Sequence, residues 1–287
     1  MTRPIEQMIK RYPQLLLDIC EGASASQQYR DVVLNGRSCE AYSDRILYIQ
    51  SEYDKLYNIE TDAGKAEILY VENRSDFERI LRVLAYRCEP VDIAETTGAM
   101  TIRGIINHHK IRQRKMQLML TNPENFKEEF QKFLAEPEQY KDTLLVLSKG
   151  NYSAVAYGET KYDRQSWEQI SFTIREYHEL THFISRKLYP KNKDTVRDEV
   201  LADCIGLLAA TGEYSDSLAR RFLGIGKAAP ITGGRLMNYV TPETLQGASD
   251  YADNIIRILK KTLENHFDSP LSFLRYAEEN QLALKKE

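Results

Sequence analysis

The feature that most constrains this chain is the pentapeptide at 178–182, which reads H-E-x-x-H. It lies within Trp167–Leu188, where the spacing of apolar residues predicts a helix. Residues four apart on a helix share a face, so His178 and His182 can bind one Zn²⁺ together. Glu179 projects beside that metal, where its carboxylate could take a proton from a bound water. The sequence therefore predicts a metal-binding helix.

A second helix supplies the further ligand that such a site needs. Pro190 disfavours helix at the residue before it, and Asp194 or Thr195 could cap a new helix. The resulting helical hairpin brings Glu199 back over the two histidines. A catalytic zinc site has three protein ligands and one open position, and Glu199 is well placed as the third ligand. Asp203 lies one turn further along, where it could accept the second imidazole N–H of a ligand histidine.

Other ligand sets stay open at this point. Asp198 or Asp203 could be the third ligand, although the choice of Glu199 leaves Asp203 with a role of its own. Cys204 is expected to pack in the core, with coordination through its thiolate as the alternative. The metzincin form of the motif requires Gly three residues and His six residues after the second histidine. Serine and leucine stand there in this chain, so that pattern fits worse.

The combination of H-E-x-x-H and E-x-x-A-D resembles the gluzincin pattern of thermolysin-like zinc peptidases. The resemblance is carried by His178, Glu179, His182, Glu199 and Asp203, and it is limited to this region of the chain. It implies a zincin-like domain with zinc as cofactor and a peptide or small amide as substrate. It also implies that Glu199 and the two histidines are ligands, that Glu179 is the general base, and that Asp203 stands behind His178.

Hydrolysis of an amide also requires a group that stabilises the developing oxyanion. Related peptidases resemble one another in using a Tyr, His or Arg from the C-terminal part, which makes Arg235, Tyr239, Tyr214 and His266 the candidates here. Arg235 and Tyr239 rank first, because the glycines before them allow close backbone approach beside a cleft. A second hypothesis is a non-catalytic domain in which zinc, or salt bridges between the helices, only stabilises the fold.

Composition narrows the classes of function. The net charge is −3 at pH 7, which gives no electrostatic basis for binding nucleic acid or an anionic membrane. The basic stretch at 108–115 is therefore interpreted as a solvated face or as a contact for an anion. No apolar run is long enough for a transmembrane helix or a signal peptide. The four cysteines are scattered without a C-x-x-C pair, which predicts reduced thiols in a cytoplasmic protein. The sequence indicates no particular oligomeric state.

The predicted fold is α+β and mainly helical. A mixed α/β region is predicted for residues 1–140, and a zincin-like, mostly helical catalytic domain for 141–287. The second region is expected to contain the H-E-x-x-H helix, the helix bearing Glu199, and a C-terminal bundle of helices. In the first region, short strands are expected at 45–50 and 67–71 and a helix at 101–118.

A β-hairpin is predicted just before the metal-binding helix. Its strands would be 143–148 and 152–157, joined by a turn at Lys149-Gly150-Asn151. In zincins an edge strand in this place pairs with an extended peptide substrate, and strand addition is a general way of holding peptide backbone. The alternative is an ordinary hairpin that covers the core.

Overall fold

The computed structural model describes residues 3–39, 47–226 and 234–284. Helices hold 57% and strands 12% of the described residues, which confirms the prediction of a mixed, mainly helical fold. The chain divides into two compact units. Unit 1 comprises Met1–Ile59, Glu67–Ile93 and Met100–Ser148, and unit 2 comprises Glu60–Ala66, Ala94–Ala99 and Lys149–Glu287.

Most of a four-stranded sheet belongs to unit 1, with the strand order β1-β2-β4-β3. The strands are β1 (Lys55–Thr61), β2 (Gly64–Val71), β3 (Ala99–Ile106) and β4 (Lys141–Ser148). β2 and β4 are parallel, with Glu67 opposite Leu144 and Val71 opposite Ser148. Residues 144–147 of β4 are fully buried, as a continuous apolar run in a parallel pair predicts.

Unit 1 contains five α-helices within the described residues. They are α1 (Pro4–Arg11), α2 (Gln27–Tyr29), α3 (Arg74–Leu84), α4 (His108–Thr121) and α5 (Phe126–Ala135). α3 packs on β4 and buries Phe77, Ile80 and Leu81 completely. This face of α3 belongs to a core cluster that includes Leu144 and Val146 of β4.

Two expectations for the first region need correction. The helix expected at 101–118 is wrong at its start, because β3 covers Ala99–Ile106 and α4 begins only at His108. The Asn107 side chain caps α4, and the preceding isoleucines favour extended backbone. The strand expected at 67–71 is confirmed within β2. Residues 45 and 46 of the strand expected at 45–50 lie outside the described part of the chain, and residues 47–50 form no strand.

The helices of unit 2 are α6 (Arg164–Leu188), α7 (Thr195–Thr211), α8 (Asp216–Leu223), α9 (Leu245–Thr262) and α10 (Pro270–Glu279). α6 and α7 form the helical hairpin that the sequence predicts, and α9 and α10 both pack against α7. A short 3-10 helix at Arg235–Asn238 precedes α9. Within the described ranges, no helix combines the length and apolar character needed to cross a membrane.

The β-hairpin predicted before α6 is wrong. β4 pairs with β2, and the expected second strand is replaced by a 3-10 helix at Tyr152–Ala154. Ser153 and Ala154 have φ angles of 51° and 58°, a left-handed backbone that a strand does not accommodate. The backbone N–H of Tyr152 instead donates to the hydroxyl of Ser171 on α6. The substrate-pairing strand expected at 152–157 is therefore absent.

Candidate metal centre

Local sequence signals define the two helices that carry the candidate site. The carboxylate of Asp163 caps α6 by accepting a hydrogen bond from the backbone N–H of Ser166 at 2.9 Å. α6 ends at Leu188, two residues before Pro190. A proline disfavours helical backbone at the residue before it, which here is Tyr189. Asp194 caps α7 by accepting from the backbone N–H of Arg197 at 3.0 Å. Both ends of the hairpin connection thus follow from local chemistry.

A glycine allows α7 to approach α6 closely beside the motif. A Cβ atom placed on Gly206 would lie 2.8 Å from the carbonyl oxygen of Ile174, closer than side-chain atoms come in practice. Ile174 lies one helical turn before His178 on α6. Glycine is therefore required for this backbone-to-backbone packing. The close crossing holds Glu199 and Asp203 of α7 against the histidine face of α6.

Three side chains that can act as metal ligands meet at this crossing and form the donor set: His178, His182 and Glu199. Nε2 of His178 and Nε2 of His182 lie 3.0 Å apart. Oε1 of Glu199 lies 3.2 Å from Nε2 of His182, and Oε2 lies 3.4 Å from Nε2 of His178. All three residues are buried, with at most 7% of their surface exposed. The group could hold a metal ion.

The spacing of the donors fits a tetrahedral ion. Zinc bonds of about 2.0 to 2.1 Å place neighbouring ligand atoms about 3.3 to 3.5 Å apart in that geometry. The observed separations of 3.0 to 3.4 Å are close to this range. Oε2 of Glu199 is buried, and no described residue donates a hydrogen bond of good geometry to it. In the described part of the chain, no fourth His, Cys, Asp or Glu joins the group.

The other ring nitrogen of His178 faces a hydrogen-bonded network. Nδ1 lies 3.0 Å from Oδ1 of Asp203 and 2.8 Å from the hydroxyl oxygen of Tyr152. The Tyr152 hydroxyl also donates to Oδ1 of Asp203 at 2.6 Å. Arg235 donates through Nη2 to Oδ2 of Asp203 at 2.5 Å, and through Nη1 to Tyr152 at 2.7 Å. Asp203 thus lies behind His178, with two partners that the sequence did not assign to it.

The charges of the site depend on one another. Burial alone would lower the pKa of His178, but hydrogen bonds to Asp203 and Glu199 outweigh it and raise that pKa to about 9. Burial opposes ionisation of Glu199, yet the two histidines hold its pKa well below the ordinary value. The pKa of Asp203 is also lowered against burial, mainly by the Arg235 guanidinium. Two buried carboxylates beside two imidazoles therefore form a site suited to a cation.

Arg235 and Tyr239, the two leading candidates for stabilising the oxyanion, lie at different places in the site. Arg235 is buried and directs both Nη atoms to Asp203 and Tyr152, so it lies behind the donor set. Tyr239 follows the 3-10 helix Arg235–Asn238 and faces the Glu199 carboxylate. Burial is the main cause that raises the pKa of Tyr239 well above its ordinary value, so the phenol stays protonated.

The remaining candidates lie outside the donor set. Asp198 pairs with Arg197 at 3.4 Å, and Cys204 is fully buried, which raises the pKa of its thiol well above the usual range. His266 is exposed and lies 3.6 Å from Asp268. Tyr214 and His266 line a cavity of about 580 Å³ to which none of the three donor residues contributes. The structure therefore brings together His178, His182 and Glu199, and not these alternatives.

Sequence reasoning did not assign Tyr152 to the site. The stretch around it has the aromatic and β-branched composition of a strand, so Tyr152 was expected in the second strand of a hairpin. In the structure its ring packs edge-on against Phe222 of α8, with ring centres 4.8 Å apart, and its hydroxyl meets His178. No local pattern signals this contact, because the two residues are 26 positions apart on different elements.

The chain belongs to a protein family of unknown function, DUF7005, whose family model matches residues 2–284. No curated protein and no solved structure matches the chain.

Proposed function

We propose that this protein is a zinc-dependent hydrolase of peptide bonds, or of amide bonds in small substrates. The proposal is carried by the convergence of three buried donors, two imidazoles from the H-E-x-x-H helix and one carboxylate from the next helix. Two histidines and one glutamate with a position left open form the ligand set of catalytic zinc sites. Structural zinc sites are usually closed by four protein ligands that include cysteine. The resemblance to gluzincins supports the same interpretation.

The metal ligands and the residues around them have different roles in the proposed reaction. When bound, zinc supplies Lewis acidity, which lowers the pKa of water and polarises a substrate carbonyl. Glu179 lies beside the ligand histidines on α6 and is buried, so its carboxylate can accept the proton of the attacking water and pass it to the leaving nitrogen. The protonated phenol of Tyr239 can donate a hydrogen bond to the carbonyl oxygen as negative charge develops there. Arg235 has a positioning role in place of the expected oxyanion contact.

The test separates metal binding from chemistry at Glu179. In this proposal Glu179 is a base and not a ligand, so Glu179→Gln should retain zinc while its hydrolysis rate falls by about 10²- to 10⁴-fold. Zinc content is measured by elemental analysis of the full chain, and hydrolysis by mass spectrometry on a mixture of peptides. Glu168→Gln is the matched control, because Glu168 is an exposed glutamate on the same helix.

Each outcome of this experiment has a definite meaning. A wild-type chain that takes up no zinc when zinc is offered removes the basis of the proposal. Zinc uptake without cleavage of any peptide or small amide contradicts the hydrolase assignment. If Glu179→Gln loses zinc as completely as Glu199→Gln does, then Glu179 is a ligand and the assignment of roles is wrong.

A non-catalytic domain is the second candidate, and one observation favours it. The contacts of Glu199 with His178 and His182, at 3.4 and 3.2 Å, also have the geometry of ion pairs that could join α6 to α7 without a metal. In that case the helical hairpin serves a structural or binding role. Metal analysis discriminates the two, because the ion-paired form needs no zinc at all.

A further inference from the structure

The hydrogen bonds around the Tyr152 hydroxyl determine which nitrogen of His178 carries a proton. The hydroxyl has one proton, and it contacts three polar atoms at 2.6 to 2.8 Å. Arg235 can only donate and an ionised Asp203 can only accept, so the phenol proton is directed to Asp203. The Tyr152 oxygen then accepts from both Arg235 and Nδ1 of His178. Nδ1 is therefore the protonated nitrogen, and in neutral His178 the lone pair is on Nε2, which faces the donor set.

Two acceptors orient the His178 ring more strictly than one. Oδ1 of Asp203 alone, 3.0 Å from Nδ1, would allow the imidazole to pivot about a single hydrogen bond. The Tyr152 oxygen adds a second acceptor at 2.8 Å. Arg235 holds both acceptors with the two prongs of one guanidinium, a rigid fork that bridges Tyr152 and Asp203.

The network itself is held in place by packing. Tyr152 is 4% exposed, its ring packs on Phe222, and its backbone N–H donates to Ser171 at 3.0 Å. Arg235 is 6% exposed and Asp203 is fully buried. The side chains behind His178 therefore have little freedom to move, which is what a support for a metal ligand requires.

We propose that Tyr152 and Arg235 are positioning residues which, together with Asp203, hold His178 with Nε2 unprotonated and aimed at the metal. This inference rests on the proposed metal centre. It assigns Tyr152, 26 residues before His178 in the chain, to the support of the zinc site. Neither residue touches the substrate in this assignment.

The test is the zinc dissociation constant of the full chain, measured by competition with a chelator. Tyr152→Phe retains the ring and its packing but removes the hydroxyl, and we expect zinc to bind about 10-fold more weakly. Tyr214→Phe is the matched control. Tyr214 also has a buried hydroxyl in unit 2, but that hydroxyl has no hydrogen-bond partner among the described residues. The control should bind zinc with the wild-type affinity.

Arg235 gives a second variant that retains the phenol. A lysine ammonium lacks the planar fork, so Arg235→Lys should weaken zinc binding, and Arg235→Met, which also removes the charge, should weaken it further. Urea denaturation without metal, followed by Trp167 fluorescence, measures the folded stability of each variant. A merely structural role would lower that stability and leave the zinc dissociation constant of the folded protein unchanged.

The outcomes distinguish this inference from the proposed function. Wild-type zinc affinity in folded Tyr152→Phe overturns the positioning role while the metal centre stands, and so does wild-type affinity in folded Arg235→Lys. If Tyr152→Phe does not fold, the Arg235→Lys result decides alone. A wild-type chain that binds no zinc refutes the metal centre itself, and the inference with it. Weaker binding in both variants, with an unchanged Tyr214→Phe control, supports the assignment.

Discussion

At the scale of single residues, the Asp203 carboxylate and the Arg235 guanidinium form a buried ion pair. Asp203 is fully buried and Arg235 nearly so, so each charge depends on the other for compensation. Asp203→Ala should destabilise the fold by about 3 to 5 kcal/mol, because it leaves a buried guanidinium unpaired. The same change should weaken zinc binding by about 10- to 100-fold through the loss of His178 orientation. Urea denaturation and chelator competition measure the two effects separately.

A double variant separates charge burial from ligand support. Asp203→Ala combined with Arg235→Met removes both charges, so part of the lost stability should return. Zinc affinity should stay low, because His178 still lacks its Asp203 acceptor and Tyr152 has lost the guanidinium that holds it. Recovery of zinc affinity in the double variant would show that Asp203 acts only through the stability of the fold.

At the scale of elements, the crossing of α6 and α7 depends on Gly206. Gly206→Ala improves helix propensity by up to about 1 kcal/mol, but the new methyl group would meet the carbonyl oxygen of Ile174 at 2.8 Å. Overpacking of this kind costs about 1 to 3 kcal/mol, so we expect a net loss of stability. The two helices should also move apart and weaken zinc binding. Chemical denaturation and chelator competition on the variant measure both effects.

α9 offers the control for this substitution. Gly247 is also a helical glycine, and a Cβ placed there would meet no atom within 4 Å. Gly247→Ala should therefore stabilise the protein by about 0.5 to 1 kcal/mol. Equal effects of the two alanines would mean that close packing at Gly206 does not limit the approach of α7 to α6.

At the scale of the whole molecule, each unit has buried carboxylates with lowered pKa values, and in unit 1 one of them is Asp142. It accepts hydrogen bonds from Tyr12, which follows α1, from Asn107, which caps α4, and from Lys110 on α4. Burial opposes its ionisation, but these partners outweigh burial and hold the pKa of Asp142 below the ordinary value. The Asp142 carboxylate therefore joins β4 to α4 and to the end of α1.

The lowered pKa sets the direction of the pH dependence. The unfolded chain binds a proton at Asp142 more readily than the folded one, so the stabilisation is complete above the ordinary carboxyl pKa of about 4. It is lost as the pH falls through the lower pKa of the folded state. Asp142→Asn should lower the stability of unit 1 at pH 7 and flatten its loss in acid. Urea titrations at pH values from 7 to about 3, monitored by NMR signals of β4, measure the stability of unit 1. If the stability of Asp142→Asn fell with acid as steeply as that of the wild type, the prediction would be contradicted.

The sequence by itself determined the helical hairpin and three converging donors. These depend on local rules: the helical repeat places His178 above His182, Pro190 ends one helix, and Asp194 caps the next. A short connection then leaves few ways to place Glu199. Such interactions act between residues a few positions apart, so a single chain displays them directly.

Only the tertiary structure decided what surrounds that hairpin. Tyr152 was expected in a strand, but the backbone after it is left-handed at Ser153 and Ala154. Its ring packs on Phe222, and its backbone N–H donates to Ser171. Arg235 was expected to contact the substrate, but it lies behind Asp203. It also contacts the Tyr152 hydroxyl, although the two residues are 83 positions apart in the sequence. These placements minimise unpaired buried charge across distant segments. The periodic pattern of apolar residues does not predict these contacts, because they depend on which polar groups the folded chain buries together.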